Sequence, residues 1–82
     1  MSKVIDYGAE SEYTGFTCVF SLPSTATDAE VESAIRQFMV ADEYRQYVSI
    51  DWDCGDDEQG YYTVTDDRTW EQFDVAYHMH ES

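Results

Sequence analysis

The chain has 82 residues, with 18 aspartates and glutamates against 4 lysines and arginines, for a formal net charge of -14. A folded protein of this size exposes roughly 5,000 Å², or about one uncompensated negative charge per 360 Å², so direct binding to DNA, RNA or an anionic membrane is disfavoured. Disorder is opposed in turn by a composition 43% hydrophobic and 16% aromatic, enough apolar surface to offset the entropy of ordering, and one domain spanning 1–82 is expected.

The N-terminus, Met1-Ser2-Lys3-Val4-Ile5-Asp6-Tyr7, turns acidic at once and has no basic segment followed by an apolar run, so it does not read as a signal peptide. No stretch reaches the 18 or more apolar residues of a membrane span. A soluble protein in a bacterial cytoplasm is expected. Cys18 and Cys54 lie far apart and outside any Cys-x-x-Cys pattern, which reads as two free, buried thiols rather than a zinc or redox site.

In chain order, Val4 to Tyr7 alternates as a short first strand, and Gly8 to Glu12 is a polar connection. Tyr13 to Leu22 reads as a second strand antiparallel to the first, with Phe16, Cys18, Phe20 and Leu22 on one face. Pro23 stops it. Thr27-Asp28-Ala29-Glu30 has the spacing of a capping box. It opens a helix whose apolar stripe is Val31, Ala34, Ile35 and Phe38 and which ends near Asp42. Glu43 to Tyr47 fits either a short turn or a continued helix. Val48, Ile50 and Trp52 alternate with Ser49, Asp51 and Asp53 in a third strand, with Trp52 assigned to the core. Cys54 to Gly60 closes a hairpin to a fourth strand, Tyr61 to Thr65. Asp66-Asp67-Arg68 is a turn. In the last segment Phe73, Val75, Tyr77 and Met79 alternate with Asp74, Ala76, His78 and His80. That favours a fifth strand, although Trp70, Phe73 and Tyr77 also suit a helix. The expected fold class is α+β, in the order ββαβββ, an antiparallel sheet with one helix on a face.

Chemical motifs are weak. Counted from Asp51, the EF-hand positions that require glycine and a bidentate glutamate hold Asp56 and Tyr62, so the acidic loop is read as a loose cation attractor. His78 and His80 share a side but lack a third ligand, and no metal or cofactor is expected. Neither Gly-x-Ser-x-Gly nor a phosphate-cradling glycine loop occurs. With 18 acids, neighbouring carboxylates carry little information, and so short a chain leaves little room for both a core and a pocket of about 300 Å³. No catalytic residue is assigned and an enzyme is not expected.

The charge itself carries the functional reading. Solubility alone is served by a net charge of about 2 to 8. Residues 1–41 hold 6 acids and 2 bases, net -4, while residues 42–82 hold 12 and 2, net -10, so one end or face should be strongly negative. On a strand Asp51 and Asp53 would stand about 6.6 Å apart, close to the phosphate repeat of a nucleic acid, and a carboxylate accepts the same bidentate arginine contact as a phosphate. The expected partner-binding set is Asp51, Asp53, Asp56, Asp57, Glu58, Asp66 and Asp67, with Tyr62 and Trp70 as aromatic contacts. The expected partner is a basic nucleic-acid-binding protein or complex: a CRISPR effector, a restriction enzyme or a nuclease. In size and charge the chain resembles the small acidic inhibitors, such as anti-CRISPR and anti-restriction proteins, that phages and mobile elements use against host defence. That resemblance is one of composition and assigns no residue a role. An immunity protein against a basic nuclease toxin and a non-inhibitory accessory protein share the same composition.

Overall fold

Alternating apolar and polar residues build five strands, β1 (Lys3–Ala9), β2 (Val19–Pro23), β3 (Val48–Gly55), β4 (Gln59–Asp66) and β5 (Gln72–Glu81), with one helix, α1 (Asp28–Met39), between β2 and β3. The structure, a computed structural model, describes residues 3–9 and 19–81. The strands form a single sheet in the order β2-β1-β5-β4-β3, antiparallel at every pairing. This is the expected α+β domain in ββαβββ order. The proposed first half of the second strand, Tyr13 to Cys18, lies outside the described residues.

Register explains the core. Tyr7 pairs with Tyr77 and Phe20, Val75 with Tyr62, and Phe73 with Val64, which in turn pairs with Ile50. These apolar residues therefore share one face of the sheet, and Val31, Ile35, Met39 and Val40 pack on it. Among the described residues the other face carries no helix. It presents Asp6, Ser21, Thr63, Asp74 and His78, the polar partners of the same alternation.

The helix begins at Thr27 as its spacing predicts. The threonine Oγ1 accepts the Glu30 N–H at 3.2 Å, and Glu30 Oε1 accepts the Thr27 N–H at 3.0 Å, a cap that typically contributes about 1 kcal/mol. Val31, Ala34, Ile35 and Met39 form the buried stripe. Phe38, expected in that stripe, is instead 42% exposed, because position 39 takes the core place and Phe38 lies at its margin against Phe20, ring centroids 5.3 Å apart.

The helix stops at Met39 rather than near Asp42, and a 3-10 helix, Asp42–Tyr47, follows. Arg45 closes the junction by donating to the carbonyls of Arg36, Gln37 and Val40 at 2.8–3.1 Å, which satisfies acceptors that a helix end leaves open. Arg36 donates back to the carbonyls of Arg45 and Val48. The final segment is strand throughout. Phe73, Val75 and Tyr77 are buried in alternation, a period of two that no helix could place on one face. Among the described residues no helix is long and apolar enough to cross a membrane.

Candidate partner-binding surface

The β3–β4 hairpin carries the densest carboxylates and is held rigidly. Asp56 Oδ1 accepts the N–H groups of Glu58 and Gln59 at 2.8 and 3.0 Å, and these bonds keep its carboxyl below the usual aspartate range. Glu58 accepts a backbone bond from Met79. The Tyr77 hydroxyl donates to the Asp56 carbonyl at 2.7 Å and accepts the Trp52 indole N–H at 2.9 Å. Gly55 adopts φ +134° and lies against Gly60, where a side chain on either residue would meet backbone or the Tyr77 ring. The hairpin thus holds Asp53, Asp56, Asp57 and Glu58, all exposed, in a fixed arrangement.

The nine sequence-derived residues do not form one patch. β4 runs from the hairpin to Asp66, eight residues or about 24 Å, so Asp66, Asp67 and Trp70 stand at the opposite end of the sheet from Asp56 to Glu58. Asp66 is not a contact residue. It is 1% exposed, and its carboxylate accepts the Arg68 N–H, Nε and Nη2 at 2.8, 3.2 and 2.9 Å, because it falls on the core-facing register of β4 opposite Val48. Tyr62 is likewise 7% exposed, its register placing it between Val75 and Trp52 on the core-facing side of the sheet. Asp67 is exposed and accepts a bond from the Ser49 hydroxyl. Trp70 is 78% exposed with φ +64°, an unusual backbone for so bulky a residue.

Three further expectations change at the hairpin. The β3–β4 ladder is regular to Trp52 and slips before Cys54, so the even spacing expected of Asp51 and Asp53 is broken by a bulge. The slip sets Cys54 opposite Tyr61 on the uncovered face and leaves it exposed rather than buried; Cys18 lies outside the described residues. Trp52 keeps its core-side register but is 54% exposed, because β3 is the sheet edge and the helix does not reach this end.

The same geometry opens a groove of about 780 Å³ between the start of α1 and the hairpin, where no pocket was expected. One helix is about 10 Å wide and five strands span about 19 Å, so among the described residues part of the face stays uncovered. Tyr7, Tyr62, Tyr77 and Trp52 line it, with Asp28, Asp56 and Asp57. The composition alone gives no sign of it, since the three tyrosines come from three strands whose pairing the sequence leaves open.

The described residues extend 42 Å along one axis and 21 Å along the other two. Arg36, Arg45 and Arg68 gather where α1, the 3-10 helix and the β4–β5 turn meet, and Arg68 stacks 3.9 Å from the Tyr47 ring centroid. Each is engaged with carbonyls or a carboxylate of the chain itself. The hairpin acids are at the other end. Lys3 starts β1 opposite Glu81.

On the uncovered face His80 Nε2 meets Asp6 at 2.8 Å, and Ser21 donates to the same aspartate. The bond to Asp6 raises His80 above its ordinary 6.5, and the Ser21 and His80 bonds lower Asp6 below 3.8. His80 therefore contributes stability that is complete below pH 6.5 and lost as pH rises through its folded value. Asp6 contributes stability present above pH 3.8 and lost as pH falls through its own. Thermal unfolding followed from pH 4 to 8 should show wild type losing more stability above pH 6.5 than His80→Asn, the two curves converging at high pH. Parallel curves would mean that the pair does not form in solution.

Compared with protein-family models, curated proteins and solved structures, the chain matches none.

Proposed function

We propose that this protein is an acidic inhibitor that occupies the positively charged nucleic-acid-binding surface of a partner in the bacterial cytoplasm, as a DNA or RNA mimic of the anti-CRISPR or anti-restriction kind. The observation that carries the reading is the hairpin pole. Asp53, Asp56, Asp57 and Glu58 are exposed on a pinned turn, while the three arginines are engaged at the far end. A preformed anionic surface loses little entropy on docking and attracts a basic partner from a distance. The bulge means that the mimicry lies in local charge density rather than in a straight row of carboxylates at phosphate spacing.

An acidic pole of this kind also suits an immunity protein that covers a basic nuclease toxin. Capture from a nuclease-treated bacterial lysate on immobilised protein, eluted by a salt gradient, tests the proposal. Retention of one basic nucleic-acid-binding complex to moderate salt supports it, and diffuse release of many basic proteins at low salt contradicts it.

A further inference from the structure

We infer that the groove between α1 and the β3–β4 hairpin is a receptor for an arginine side chain presented by a basic protein partner. The inference rests on the proposed partner being basic and adds to it a defined point of entry.

The floor of the groove is aromatic. The Tyr7, Tyr62 and Tyr77 rings lie with centroids 5.6–6.3 Å apart, and Trp52 stands at the rim with its indole fixed by the bond to Tyr77. Two hydroxyls are unspent among the described residues. Tyr7 and Tyr62 are 3% and 7% exposed, yet among the described residues neither hydroxyl has a hydrogen-bond partner, and no side-chain polar atom is both sealed from solvent and unpaired. Since both residues line the groove, their oxygens open into it. A polar tip on an otherwise buried ring, left without a partner among the described residues, marks a place where a ligand or water can supply the bond. Tyr7 is held protonated by its burial, with a pKa pushed up to about 12, so its oxygen offers a lone pair and a proton but no charge.

The negative charge comes from the rim, where Asp28 at the start of α1 faces Asp56 and Asp57 of the hairpin. The exposed Trp52 ring, hydroxyl acceptors and carboxylates around one opening are the chemistry of cation recognition. Guanidinium fits better than ammonium. It is planar and can stack on rings, it is weakly hydrated, and its five N–H donors in a fixed fork can reach a hydroxyl and a carboxylate together. An apolar ligand would bury the rim carboxylates without a partner, and an anion would meet them directly.

The chain has two tryptophans, Trp52 at the groove and Trp70 at the far end, so one titration carries its own control. The tripeptide acetyl-Gly-Arg-Gly-amide is added to labelled protein at low salt and both indole N–H signals are followed by NMR. The inference expects a saturable shift of Trp52 and of the Gly55 and Asp56 amides, with Trp70 unmoved. It also expects a citrulline peptide, neutral but of the same shape, to bind at least tenfold more weakly, and a lysine peptide to bind at least threefold more weakly. Tyr62→Phe, which keeps the ring in the core, and Asp28→Asn should each weaken arginine binding at least threefold. Equal binding of citrulline or lysine, equal movement of Trp52 and Trp70, or Tyr62→Phe and Asp28→Asn proteins that bind as wild type would overturn it. No macromolecular partner enters the titration, so its failure is separate from failure of the mimicry reading, which the lysate capture judges.

Discussion

Reversing three hairpin charges, Asp53→Lys, Asp57→Lys and Glu58→Lys, is expected to weaken binding to the basic partner at least a hundredfold, or about 3 kcal/mol, without harming the fold. All three side chains are exposed, and none holds a turn in the way that Asp56 does. Each reversal adds two positive charges, so the three move the formal net charge from -14 to -8. That relieves self-repulsion and should leave the melting temperature unchanged or higher. The loss should fall mainly on the association rate and shrink as salt is added, since steering by exposed charge is screened. Single reversals measured by surface plasmon resonance should show graded losses. A catalytic pair would respond differently, with one or two carboxylates accounting for the whole effect. If the triple variant binds as wild type, the hairpin is not the interface.

Asp66→Ala is expected to do the converse, lowering stability by about 3 kcal/mol while leaving the hairpin surface intact. The carboxylate is buried and accepts three bonds from Arg68, so its loss opens a space, removes those bonds and weakens the turn between β4 and β5. Arg68 is 45% exposed on its side chain, and water recovers part of that cost. For a domain of this size the change corresponds to roughly 15 °C in melting temperature, readable by circular dichroism. Asp67→Ala removes an exposed bond to Ser49 and should cost less than about 1 kcal/mol. A small effect at Asp66 would mean that the buried pair is not what holds this turn.

The contrast between these two sets of acids shows how far the sequence reads. Alternation placed Phe73, Val75 and Tyr77 on one face, and the Thr27 and Glu30 spacing located the start of the helix, because both signals are local and follow the period of the element. Asp66 misleads for the same reason. It continues the core-facing alternation of Tyr62 and Val64, but its charge suggests solvent, and the approach of Arg68 around the turn, which helps make burial tolerable, is not a local signal. Trp52 fails in the opposite sense. Its register is the core register, yet its exposure depends on where one helix ends across a five-stranded sheet. The groove was illegible because Tyr7, Tyr62 and Tyr77 meet only once β5 pairs with both β1 and β4, and strand order is a long-range property that no window of sequence contains.

Competition between this protein and nucleic acid for the captured partner is the most direct test of the central claim. Labelled DNA or RNA ligand of the partner is held at a fixed concentration, and this protein is titrated in while bound nucleic acid is followed by fluorescence anisotropy. Mimicry predicts complete displacement, with an apparent affinity for the protein that falls in proportion as nucleic acid is raised, and loss of displacement in the Asp53→Lys, Asp57→Lys, Glu58→Lys variant. A stable ternary complex, in which nucleic acid stays bound at saturating protein, would contradict it.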